Sequence, residues 1–172
     1  GCRVSFVIGS VSVAAAMFLG TLLGSVAGYK GGYLDNFVMG VMDVLMSIPT
    51  LLMGLLIVAI LGPSQATLII ALALTMVPRF ARIARAPTTA ANNKTYVEAC
   101  QAMGFSDIRV LVVHIFPNIL GELMVMGSMW MATAVRTEAA LSFIGLGVKP
   151  PTATLGGMIR EGFKDIMSAP WA

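Results

Sequence analysis

The side chains with chemistry to offer are few. The chain holds one histidine, His114, two cysteines, Cys2 and Cys100, and a small set of carboxylates in otherwise apolar sequence. Asp43, Glu122 and Glu138, together with Arg136, lie within long apolar runs or near their ends. An ionisable group there is a transport candidate, because exposing it to hydrocarbon is costly. Asp43 stands less than about two turns from the start of its run, close enough to reach interfacial water or an arginine. Arg136 and Glu138 are two positions apart, so they fall on different helix faces and make no obvious mutual pair. His114 has no nucleophile or carboxylate spaced around it as a general base requires. Neither cysteine has ligand-like spacing to the other or to His114, so no disulfide framework or metal site is expected. The 13 methionines lie mostly within the runs and read as flexible packing. No G-x-x-x-x-G-K-[ST] stretch occurs, so ATP hydrolysis is not expected of this chain. No catalytic residue is assigned, and the chain reads as something other than an enzyme.

The elements that would position these groups are set by composition. At 172 residues, with 58% hydrophobic and 11% charged residues, the chain is far more apolar than a soluble domain. Its mean hydropathy is +0.89. Four runs reach or approach the roughly 20 residues needed to cross about 30 Å of hydrocarbon. The fold class expected is all-α, a polytopic transmembrane helical bundle. The net charge of +3 and the pI near 9.1 come from basic residues beside the runs. The positive-inside rule explains these more simply than nucleic-acid binding.

The first span runs from about Val4 to Ala27, roughly 36 Å of helix. Gly20, Gly24 and Gly28 bare one face of it for close packing within the chain rather than for dimerisation. It is too long an apolar run for a signal peptide. Tyr29–Tyr33 forms a turn, and Asp35-Asn36 caps the next helix. The second span covers about Phe37 to Leu61, with a backbone break at Pro49. Asp43, Pro49, Arg136 and Glu138 are the candidates for a translocation path. The third span starts near Ala66 and must continue through Pro78, with Arg79, Arg82 and Arg85 reaching for head groups. These arginines, with Lys94 and Arg109, put the Arg79–Pro117 loop in the cytoplasm. Tyr29–Asn36 then faces the cytoplasm as well, while Gly62–Gln65 and both ends face outward. The fourth span runs from about Ile119 to Leu141, and Leu146–Pro151 stops it. Leu155 to Met167 suits a segment lying on the outer surface.

Between the third and fourth spans lies a polar island, residues 92–118. Thr95 and Glu98 have capping-box spacing, so a helix should begin at Tyr96. Tyr96, Ala99, Cys100 and Met103 give it an apolar stripe. Gly104 ends it, and Ser106 caps a second helix with the stripe Ile108, Leu111, Val112 and Ile115. Pro117 closes the unit. Two short amphipathic helices hinged at a glycine read as a docking surface.

Glu98-Ala99-Cys100, then Gly104, then Ile115-Phe116-Pro117, resembles the E-A-A---G loop of permease subunits of bacterial ATP-binding-cassette importers. Four further patterns resemble the dipeptide, oligopeptide and nickel permease branch. They are Gly28-Tyr29-Lys30-Gly31-Gly32, Pro78-Arg79-Phe80-Ala81-Arg82, His114-Ile115-Phe116-Pro117-Asn118, and Glu138-Ala139-Ala140-Leu141-Ser142-Phe143-Ile144-Gly145-Leu146-Gly147 followed by Pro150-Pro151. The resemblance covers essentially the whole chain. Cys100, His114, Phe116, Gly121-Glu122 and Leu155 depart from the usual residues at their positions.

The resemblance implies a partial type I importer permease fold, about four of six spans, lacking the first and the last. The chain, which opens without Met, thus reads as a piece of a longer protein. It also implies that residues 92–118 are a cytoplasmic coupling-helix loop docking a separate ATPase subunit. The docking residues would be Tyr96, Glu98, Ala99, Cys100, Met103, Gly104, Ser106, Ile115 and Pro117. Glu98 and Gly104 would serve both helix geometry and docking. The implied function is a pore-forming permease subunit for di- or oligopeptides in the bacterial inner membrane, working by alternating access. Its implied partners are cytoplasmic ATPase subunits, a second homologous permease, an extracytoplasmic substrate-binding protein and the lipid bilayer. This chain would bind no cofactor, ATP and magnesium being used by the partners. The alternative is an ion-coupled secondary transporter using Asp43, Glu122 or Glu138.

Overall fold

The computed structural model describes residues 1–148 and 152–165. Among them every regular element is helical, and no strand occurs. In order these are α1 (Cys2–Lys30), α2 (Gly32–Ser47), α3 (Thr50–Leu61), α4 (Gln65–Asn92), α5 (Thr95–Ala102), α6 (Asp107–Arg109), α7 (Phe116–Leu141) and α8 (Leu155–Asp165). π-helical turns occupy Val110–Ile115 and Ser142–Leu146, on either side of α7. Among the described residues three helical stretches are long and apolar enough to cross a membrane: Cys2–Lys30, Gln65–Asn92 and Asp107–Leu146. A fourth crossing arises only if α2 and α3 together count as one broken span. The chain is a multi-pass helical membrane protein.

Several expected boundaries need correction. The second span does break at Pro49, and the break separates two helices. Helix α2 stops at Ser47 and α3 starts at Thr50, with Pro49 extended at φ −53°, ψ 134° as the N-cap. A proline ring removes a ladder hydrogen bond and crowds the carbonyl four residues back, so the ladder ends there. Asp35-Asn36 does not cap this region, since the helix has already begun at Gly32 and Asp35 sits in its first turn. The third helix runs on through Pro78 as expected, but it also continues through Pro87 to Asn92. Most of the first part of the Arg79–Pro117 loop is therefore helix. Pro117 does not close a unit either, because the helix runs through it.

The helix of the fourth span does not stop at Leu141 but passes into the π turn ending at Leu146. It ends at Leu146, with Gly147 extended, at the start of the expected Leu146–Pro151 stop, of which residues 149–151 lie outside the described residues. The outer-surface segment is helical from Leu155 to Asp165, and Met167 lies outside the description.

Contacts divide the chain into two compact units. The first comprises Gly1–Ala15, Ile48–Thr75 and Met129–Ala172. Its core gathers Ile8, Val58, Leu68, Leu72 and Leu141. The Leu155 amide donates to Ser5 Oγ at 3.1 Å, tying the start of α8 to α1. Phe143 and Phe163 meet edge to face, with ring centroids 6.0 Å apart.

The second unit comprises Ala16–Ser47 and Met76–Ser128. Here the small-residue face of α1 is filled by α4. A Cβ added at Gly28 would lie 2.7 Å from the Arg85 carbonyl oxygen, and one at Gly24 would collide with the Ala81 backbone. Lipid is as apolar as leucine, so helices gain from such close contact rather than from escaping water. That is also why Phe18, Leu22 and Val125 stay exposed. Thr89 adds a hydrogen bond from Oγ1 to the Gly28 carbonyl, 3.2 Å. Two ion pairs join α2 to α4: Asp35 with Arg85, and Asp43 with Arg82. Arg82 and Arg85 thus meet carboxylates of α2 rather than only reaching outward.

Candidate functional site

The polar segment 92–118 belongs wholly to the second unit. Helix α5 starts at Thr95, one residue early, with Lys94 extended at the cap. No side chain caps it, so the expected Thr95–Glu98 box does not form. The Lys94 carbonyl instead accepts from the Val97 amide at 2.9 Å and the Glu98 amide at 3.3 Å. Glu98 is left exposed.

Gly104 does end the helix. Its φ of +79° lies in the left-handed region, where a Cβ is penalised. The Phe105 amide bonds the Cys100 carbonyl at 3.1 Å and the Gly104 amide bonds the Gln101 carbonyl at 2.9 Å. This paired pattern satisfies carbonyls the helix end would orphan. Ser106 occupies the next N-cap with extended backbone (ψ 149°), but its hydroxyl makes no cap bond. The position was legible, the capping mechanism was not.

The second stripe comes out differently from its 3.6-residue expectation. Val110 and Ile115 are buried, whereas Ile108 and Val112 are exposed. The cause is the π turn: Phe116 N–H bonds the Leu111 carbonyl, five residues back. In that wider turn residues five apart share a face, as Val110 and Ile115 do. The same widening lies directly before Pro117, so the ring is accommodated and the helix runs on. In α5 the inward residues are Val97 and Cys100, with Tyr96 half-buried, while Ala99 and Met103 face out. Val97, Cys100, Val110 and Ile115 share one core cluster with Tyr29, Ala84, Ala91, Ile119 and Leu123. The segment is thus a packed platform presenting Glu98, Ala99, Met103, Gly104, Ser106 and Pro117 outward.

Polar contacts that the sequence did not suggest lock this platform to α1. Gln101 Nε2 donates to the Tyr29 hydroxyl at 3.2 Å, and that hydroxyl donates to Asp107 Oδ1 at 3.2 Å. Lys30 Nζ donates to Asp107 Oδ2 at 2.5 Å. Asn92 Nδ2 donates to the Tyr29 carbonyl at 3.1 Å. Lys30 and Asp107 lie 77 positions apart, and no local pattern marks such a pair. The expected Tyr29–Tyr33 turn narrows to Gly31, since α1 runs through Lys30 and α2 starts at Gly32, and this junction shares one end of the unit with the polar segment. Arg109 stacks its guanidinium 4.4 Å from the Phe105 ring centroid, and His114 lies parallel to the same ring at 5.9 Å. His114 is thereby a packing residue.

The path candidates divide between the two units. Asp43 pairs with Arg82 in the second unit, both side chains more than half exposed. Pro49, Arg136 and Glu138 belong to the first unit. Arg136 is exposed and donates to Thr133 Oγ1 at 3.4 Å. Glu138 is fully buried; Oε1 accepts from Ser142 Oγ at 2.6 Å, and Oε2 has no hydrogen-bond partner among the described residues. The two make no mutual pair, as their spacing implies. Glu122 is exposed. Among the described residues, no three His, Cys, Asp or Glu side chains cluster as metal ligands would.

Residues 20–171 match the family model described as the binding-protein-dependent transport system inner membrane component. The chain is 38% identical over 170 residues to the glutathione transport system permease protein GsiD of Pectobacterium atrosepticum, covering 99% of this chain and 56% of that one. It is 36% identical over 171 residues to the dipeptide transport system permease protein DppC of Alkalihalophilus pseudofirmus, with the same coverage. Against the oligopeptide transport system permease protein OppC of Bacillus subtilis the identity is 36% over 171 residues, again 99% and 56%. The chain spans little more than half the length of these relatives.

Proposed function

We propose, from the premise that the chain belongs to the family of binding-protein-dependent transport system inner membrane components, that it is a pore-forming part of a permease for short peptides. The relatives' names, glutathione, dipeptide and oligopeptide permeases, support that substrate class. The membrane is the bacterial inner membrane. A second homologous permease completes the pore, and an extracytoplasmic binding protein delivers substrate. Cytoplasmic ATPase subunits bind ATP and magnesium; this chain holds neither and performs no catalysis of its own. Asp43, Pro49, Arg136 and Glu138 are retained as candidates for the path.

The observation that carries the reading is the packed platform at 92–118. An exposed Glu98 and Ala99 on α5, Met103 at its C-cap, and an exposed Ser106 across Gly104, form a hinged outward face on a fixed base. Tyr96, Cys100, Ile115 and Pro117 support that face from beneath or beside it. Arg79, Arg82, Arg85, Lys94 and Arg109 put this end on the cytoplasmic side by the positive-inside rule. Closure of two ATPase subunits on ATP pushes the face, and the attached helices turn the pore between inward and outward access.

The test uses Glu98→Cys in the complete importer. A bifunctional crosslinker should join position 98 to a separate nucleotide-binding protein, and external thiol reagents should not reach it. Labelling of position 98 from the extracytoplasmic side overturns the reading. One observation favours the ion-coupled alternative, the buried Glu138 with an oxygen that has no partner among the described residues. Uptake that persists without ATP and collapses with a proton uncoupler would select it.

A further inference from the structure

We propose that Tyr29, Lys30, Gln101 and Asp107 form a clamp that makes α1 follow the docking platform, so that these positioning residues set how much transport each ATP drives. The proposal rests on the platform being where ATPase subunits push. By chain connectivity, a push on α5 and α6 reaches only α4, through Asn93-Lys94, and α7, through the π turn. Helix α1 has no covalent link to the platform. Its tie is the polar chain running from Gln101 to the Tyr29 hydroxyl to Asp107, braced by Lys30.

The placement of that chain matters. Gln101 precedes Gly104 and Asp107 follows it, so the Tyr29 hydroxyl bridges both sides of the left-handed link. Tyr29 itself is only 7% exposed, packed in the core cluster under the platform. Swinging α5 about Gly104 must therefore either break the Gln101–Tyr29 bond or carry α1 with it. Carrying α1 also carries α4, since the glycine face and the Thr89 and Asn92 bonds leave the two no room to slide apart.

Magnitudes separate this role from simple stabilisation. The Lys30 and Asp107 side chains are 53% and 50% exposed. A pair so wet contributes little to folding. A positioning role thus predicts a loss of coupling with almost no loss of stability, where a structural role predicts the reverse or nothing.

The experiment uses the complete importer in proteoliposomes, with Asp107→Asn, Lys30→Gln, Tyr29→Phe and the exchanged pair Lys30→Asp with Asp107→Lys. ATPase subunits should stay bound and hydrolysis continue in every variant. Substrate moved per ATP should fall roughly tenfold in Asp107→Asn and Lys30→Gln, inside the usual range of inter-site coupling. Tyr29→Phe should lower it as well, and the exchanged pair should recover most of the ratio. An unchanged ratio in the single variants, or an exchanged pair that stays uncoupled while folded, overturns the clamp. Should a single variant fail to assemble, the exchanged pair decides alone. If ATPase subunits do not remain with the unmodified chain, the docking reading itself falls, which is a separate result.

Discussion

Asp35 and Glu138 are both buried carboxyl groups in apolar surroundings, one in each unit, and the two units treat them in opposite ways. Asp35 accepts two bonds from Arg85, at 2.6 Å from Nε and 2.5 Å from the terminal nitrogen. Glu138 accepts a hydroxyl bond from Ser142, and its second oxygen has no partner among the described residues. Where a charged partner is built in, the carboxyl group serves as a fastener between helices. Where the bond found is to a neighbour one turn along the same helix, the carboxyl group does not join two helices through it.

That contrast can be broken by removing partners. The largest effect is expected for Arg85→Met, which strands Asp35. A loss of about 2 to 3 kcal/mol is expected, short of a fully buried pair because Arg85 is 41% exposed. Thermal unfolding in detergent measures it, and adding Asp35→Asn should recover most of the loss. Without recovery, the pair is not the fastener. Next comes Ser142→Ala, which deprives Glu138 of its donor and should cost about 1 to 2 kcal/mol. A neutral result would mean Glu138 finds another donor, and the contrast with Asp35 would narrow. The smallest effect is expected for Arg82→Met. Its partner Asp43 is 60% exposed, so the loss should stay below about 1 kcal/mol. A cost matching that of Arg85→Met would show that exposure does not rank these pairs.

The legible features share a physical trait: each is encoded by residues close in sequence. Apolar runs gave the long helices because bilayer thickness sets a length that can be counted. Gly104 was readable because one left-handed residue has one obvious occupant. The Gly20–Gly24–Gly28 face was readable for the same local reason. The capping box at Thr95 failed because backbone bonds to the Lys94 carbonyl formed instead. Asp35 reads locally as a cap, but its partner Arg85 lies 50 positions away. The clamp was invisible for the same reason, with Tyr29 and Asp107 separated by 78 positions. In the second stripe the period itself was wrong, since the sequence 110–115 carries no sign of a five-residue bond.

That wide turn at Val110–Ile115 amounts to a phase offset written into the helix as one surplus residue. Were a single residue removed, the coil would relax to its ordinary pitch and everything upstream would rotate by about 100° about the axis. Asp107 would then no longer point where Tyr29 and Lys30 wait for it. The compass bearing of the outer face is thus kept by counting, and chain length here is as much a specification as residue identity.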